Sequence, residues 1–297
     1  MTQPDLPLDG AAASLTGLPC EVLVAVASNL TSLDDVLAFV AVCARLRAVF
    51  QGNAYHMSCL AIKHSIECED VAWTLLLAQE NQPLGVARTA FMKPHHVLRL
   101  ARNAHRLEKA IEWFHKNEMK YIRHLCLRLW GNPDRPPYLS RTERRRFEFA
   151  YYFAAALLEP NGQHLLETLP LRQLLWVQQV LRIDVHVGEE RMWTGLAYWG
   201  SQRNLLQRAC DARLNSLWAH FYPQFDIGRL YIANSRSFGC RHGYLALVDD
   251  YQEHLEYTLF GSYPPRGRPR IHFPLQVVKD YIWGQDSGGE LETDLCL

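Results

Sequence analysis

The chain has 297 residues, 48% of them hydrophobic, 21% charged and 11% aromatic, enough to bury a sizeable core in one or two domains. Its 31 Lys and Arg balance 31 Asp and Glu, so the overall positive charge of a nucleic-acid-binding protein is missing. No apolar run reaches the roughly 18 residues that a helical membrane span needs.

Residues 1–17 lack a basic start and a continuous apolar run, and read as a disordered leader rather than a secretory signal. From Leu18 to Phe50 the pattern is three short apolar helices. The first begins at Pro19, where a missing N–H costs nothing, and carries Val22, Val26 and Leu30 with Leu23 and Ala27 beside them. Ser32 is the expected N-cap of the second, with Asp35 three residues on and Leu33, Val36, Leu37 and Val40 lining it. Val42, Leu46, Val49 and Phe50 line the third, with Gly52 as its terminator.

Helical patterning continues from Ala54 to Gln79, with Glu69 and Asp70 starting its last helix, and residues 81–85 (NQPLG) read as a turn. Two helical patches follow, His95 to Arg106 and Leu107 to Asn117, then a helix from Tyr121 to Leu129 closed by residues 131–137 (GNPDRPP). Ser140 and Glu143 form an S-x-x-E capping box ahead of a helix from Arg141 to Leu158, with Phe149, Phe153, Ala156 and Leu157 on its core face and Arg144, Arg145 and Arg146 beginning on the solvated side. Leu171 to Leu181 is another apolar helix, residues 183–187 alternate as a short strand or an extended linker, and helical patterns resume at 189–199, 203–221, 245–259 and 274–283. The sum is an all-α chain without an internal repeat. A three-helix module at 18–60 precedes an irregular helical domain at 61–283 and an acidic mobile tail at 284–297, with the junction set within 52–85.

The eight cysteines are scattered singly and several fall in apolar helical positions, as expected of reduced thiols in a cytoplasmic or nuclear protein. Cys59, His64 and Cys68 match no standard zinc spacing, and the chain has no G-x-S-x-G, H-E-x-x-H or phosphate-loop motif. No cofactor, metal or catalytic residue is assigned. Residues 88–148 hold 15 Lys and Arg against 6 Asp and Glu, whereas 280–297 hold five acids and no Lys or Arg. The basic stretch reads as solvated helix faces or as a face for an acidic or phosphorylated segment. Of the C-terminal aromatics, Tyr231 and Tyr263 fall in loops and are the exposed candidates for recognition.

The order Leu18-Pro19, Glu21, Val22-Leu23, Leu30, Asp34-Asp35, Cys43, Arg45-Leu46 resembles the F-box, and more closely the F-box proteins numerous in filamentous fungi. The helix at 141–158 is also similar to a segment common in those proteins. The resemblance implies that Leu18, Pro19, Val22, Leu23, Val26, Leu30 and Leu37 dock a Skp-type adaptor, and through it a cullin-RING ubiquitin ligase. It implies a non-catalytic substrate receptor whose C-terminal domain binds a protein substrate that the resemblance does not name. Val22, Ala25 and Val26 stand where the family usually has Leu or Ile, so the surface lacks methylenes worth about 0.8 kcal/mol each when buried, and weaker adaptor binding is expected. The alternative is a helical scaffold or protein-binding domain without a ubiquitin role, whose first three helices are simply core.

Overall fold

The computed structural model describes residues 17–120, 123, 135–169, 171–182, 186–187, 190–191, 208–209 and 212. Every described element is helical except one two-residue antiparallel pairing, His186 with Arg191 and Val187 with Glu190. The all-α reading therefore holds, with one correction: Glu190 and Arg191 were expected to open a helix and instead pair with a strand. The leader at 1–16, the helix expected at 121–129 apart from residue 123, and nearly all of the chain beyond 191, including Tyr231, Tyr263 and the acidic tail, lie outside the described residues.

The helices belong to two compact units, each described by itself. The first is the chain up to Glu69 together with Gly85–Ala104; the second is Asp70–Leu84 together with the chain from His105 onward. The junction was expected within 52–85; residue 60, the nominal end of the module, lies inside a helix.

In the first unit, α1 (Cys20–Ser28) and α2 (Leu33–Ala41) both pack on α3 (Ala44–Ser65). Pro19 is the N-cap of α1 rather than its first helical residue, and its carbonyl accepts the Leu23 amide at 3.2 Å. Ser32 caps α2 as expected, its hydroxyl accepting the Asp35 amide at 3.4 Å. Leu33, Val36 and Val40 are the buried stripe of α2, and Leu46, Phe50, Ala54, Met57 and Ala61 that of α3. Two polar contacts fix this arrangement: the Leu33 amide donates to Ser65 Oγ, and Ser28 Oγ lies 2.9 Å from the His56 carbonyl.

Gly52 does not end α3. The helix passes through it and kinks at Asn53, whose backbone leaves helical values (φ −131°, ψ 25°). The Asn53 side-chain amide donates to the Val49 carbonyl at 3.0 Å, beside the kink. The apolar spacing from Phe50 to Ala54, Met57 and Ala61 continues onto one buried face, and that burial outweighs the local cost of a glycine.

After α4 (Glu69–Gln79), the turn at 81–85 carries the two positive φ values of the described chain, Asn81 at 54° and Gly85 at 94°. The four-residue α5 (Arg88–Phe91) precedes α6 (Pro94–Asn117), 24 residues long and shared by both units. The two expected patches are thus one helix. No Gly or Pro separates them, and Val97, Leu100, Leu107, Ile111 and Phe114 keep a single buried face throughout. Its start combines Pro94 at the first position with His96, whose Nδ1 accepts the Lys93 amide at 3.1 Å.

The second unit is organised on α7 (Arg141–Leu158), against which α8 (Leu171–Arg182) and the 3-10 turn Gln163–Thr168 pack. Its capping box is complete. Ser140 Oγ accepts the Glu143 amide at 3.2 Å, and Glu143 Oε2 accepts the Ser140 amide at 2.8 Å. The expected single apolar face is a correction: α7 buries residues nearly all round, and Phe149 is only half-buried. Nor is Arg146 on a solvated side. It is 6% exposed, with its guanidinium 5.8 Å from the centre of the Trp176 ring.

Two glycines make opposite predictions. A Cβ at Gly52 meets nothing, so Gly52→Ala should stabilise the chain by about 0.5–1 kcal/mol and raise its thermal midpoint. At Gly162 a Cβ would fall on the Ala156 carbonyl and crowd the Leu157 amide, so Gly162→Ala should destabilise by roughly 1–3 kcal/mol. Urea unfolding of both variants checks the pair.

Candidate docking face on the first helices

Leucine and valine side by side on α1 are separated sharply by the fold. Leu23 and Ala27, one turn apart, have no accessible surface, while Val22 and Val26, also one turn apart, are each 41% exposed. Since successive residues on a helix are rotated by about 100°, turning Leu23 and Ala27 onto α3 swings Val22 and Val26 off it. Pro19 and Cys20 are exposed at the start of the helix, and Glu21 beside them supplies an acid in its first turn.

The seven residues expected to dock a partner therefore divide. Pro19, Val22 and Val26 are open to solvent; Leu18, Leu30 and Leu37 are half-buried; Leu23 is buried. Leu23 is a correction to the expected surface, because its side chain is spent on attaching α1 to α3. Leu18 contributes its backbone as well as its side chain: its carbonyl accepts from the Arg45 guanidinium at 2.6 Å, fixing the approach to α1 on the start of α3.

One exposed residue was misplaced by sequence reasoning. Val42, 67% exposed, was assigned to the core side of the third helix but is the C-cap of α2. Cys43 caps α3 immediately afterwards, so Val42 stands at a corner between helices, where periodicity carries no information about burial. Asp34 and Asp35 are exposed at the start of α2.

The basic stretch at 88–148 is partly neutralised within the fold. Arg88 pairs with Glu69, Arg144 with both Glu108 and Glu148, and Arg135 with Glu143 at 2.5 Å. The last pair is buried on both sides, so removing one partner alone would break a buried ion pair, at a cost of up to about 3–5 kcal/mol. Cys59, one of the three spaced metal-ligand candidates, has its thiol 3.9 Å from the His56 carbonyl, and Cys68 is buried. Among the described residues no helix is long and apolar enough to cross a membrane.

Comparison with protein-family models, with curated proteins and with solved structures finds no match to this chain.

The division of α1 gives a direct contrast. Leu23→Ala should cost about 2–5 kcal/mol, because it opens a cavity where α1 meets α3. Val22→Lys combined with Val26→Lys should change stability by no more than about 1 kcal/mol, since lysine is a good helix former at exposed positions. Thermal melts followed by circular dichroism distinguish the two.

Proposed function

We propose that the chain is a non-catalytic substrate receptor of a Skp-cullin-F-box type ubiquitin ligase, docking a Skp-type adaptor through its first helices and a protein substrate through the helical remainder. The observation that carries this reading is the outward stripe of Pro19, Val22 and Val26 on a helix whose opposite side is fully buried. Paired exposed aliphatics one turn apart beside a proline suit a helix-in-groove contact. The pattern Leu18-Pro19 through Arg45-Leu46, which resembles the F-box, lies on the same helices.

Under this reading α3 is the support and α1 with the end of α2 is the contact. Burying Val22 and Val26 against the adaptor contributes up to about 1.5 kcal/mol each, less than leucine would, so the complex is of moderate affinity. Leu23 acts indirectly, by setting the rotation of α1. A helical scaffold without a ubiquitin role is the competing reading, favoured by the burial of Leu23, Leu33, Val36 and Val40 within the unit itself.

Co-expression of the full chain with a Skp-type adaptor, followed by gel filtration in mild salt, separates the two. Co-elution is expected, with retention reduced at least about tenfold by Val22→Lys with Val26→Lys, because two cations would be desolvated without partners. Absence of co-elution by the well-folded wild-type chain would overturn the receptor reading.

A further inference from the structure

We propose that His115 is a proton-released latch: while neutral it holds the Leu139 amide against α6, and on protonation it lets that amide go. The segment at 135–140 enters α7 and is fastened at both ends of its length. Arg135 pairs with Glu143 and Ser140 completes the capping box, both anchors running to α7 itself. The Leu139 anchor runs elsewhere. Its amide donates to His115 Nε2 at 3.1 Å, joining positions 24 residues apart, and the Leu139 side chain is buried at 6% exposure.

A ring nitrogen that accepts an amide proton must carry its lone pair there, so the ring's own proton sits on Nδ1. A second proton has only Nε2 to go to. Its arrival converts the acceptor into a donor that faces the Leu139 N–H, and the bond is replaced by a repulsive pair of donors. Nothing else need change for the anchor to be lost.

The surroundings set when this happens. Burial of the ring, followed by the nearby Arg144 guanidinium on α7, lowers the His115 pKa from its ordinary 6.5; Glu108 and Glu112 on α6 itself act in the opposite direction. Arg144 is held in place by Glu108 and Glu148, and Glu143, the remaining acid at this end of α7, is taken up by Arg135 and the Ser140 amide. The latch is thus closed at neutral pH. As pH falls below 6.5 the unfolded chain takes up the proton before the folded one does. Folded stability therefore declines through that window, and the decline levels off once the folded histidine is protonated. The amide released adjoins Tyr138, already 57% exposed, so acid would loosen the segment at Leu139 while its Arg135 and Ser140 anchors to α7 remain.

Amide hydrogen exchange of the full chain, read by NMR from pH 7.5 to 5 and normalised to intrinsic rates, tests the latch. Protection at Leu139 should fall about three- to tenfold, the loss expected for one hydrogen bond, with the midpoint of the His115 ring titration, whereas protection at Phe147 and Tyr152 within α7 should follow only the decline in global stability, without a step at that midpoint beyond it. His115→Gln places a non-titrating acceptor near Nε2 and should make Leu139 protection independent of pH. A ring that titrates without altering Leu139 protection would overturn the proposal, as would the same pH dependence in His115→Gln. The wild-type measurement decides alone if that variant does not fold.

Discussion

The burial of Leu23 and Ala27 against α3 is the constraint from which the surface of the first unit follows. Two side chains one turn apart with no accessible surface leave α1 a single rotation about its axis. Burying the leucine alone is worth about 1.5–3 kcal/mol, and turning the helix by one residue would exchange it for a smaller valine and leave a void. The exposed positions of Val22 and Val26 are therefore consequences of the core, not independent choices. Supporting contacts act in the same sense: Arg45 holds the Leu18 carbonyl, and Ser28 reaches the His56 carbonyl at the far end of the helix. A shallow apolar stripe presented by such a support needs little reorganisation on binding, which favours association.

The second unit depends on a different arrangement, a helix buried on nearly all sides that nevertheless carries charge. Glu143, Arg146 and Glu148 lie within α7 at 1%, 6% and 3% exposure. Each is compensated by a defined contact: Arg135 and the Ser140 amide for Glu143, the Trp176 ring for Arg146, Arg144 for Glu148. Burial of the neighbouring Tyr151 pushes its phenol up to about 12, so it stays neutral well into alkaline conditions. Buried ion pairs of this kind add little net stability, but breaking one is costly, so they discriminate against misregistered packings of the helix.

What could be read from the sequence follows from how local each signal is. The capping box at Ser140 and Glu143, the N-cap at Ser32 and the turn at 81–85 are settled by residues within four positions of one another, and all three stand where they were expected. The outcome at Gly52 is not local. Glycine is a common terminator, but the apolar positions beyond it continue onto the face already buried, and tertiary packing carries the helix past it. The breadth of burial of α7 was likewise hidden, since phenylalanine and tyrosine placed all round a helix are compatible with one packed face or with several. On α1 the sequence is apolar over both the Leu23–Ala27 and Val22–Val26 stripes, so periodicity alone does not say which turns inward. Leu23 entered the expected docking set through the resemblance to the F-box, and nothing in the local pattern separated it from Val22. Val42 was misassigned for a related reason: at a corner between two helices, neither helix's period applies.

The claim that α1 turns one stripe to its own core and the other to a partner is tested most directly by carbene footprinting of the full chain, alone and with a saturating Skp-type adaptor. Val22 and Val26 should be labelled in the free chain and Leu23 spared, and the adaptor should suppress labelling across Pro19–Val26. Labelling of Leu23 equal to that of Val22, or labelling of α1 unchanged by the adaptor, would contradict it.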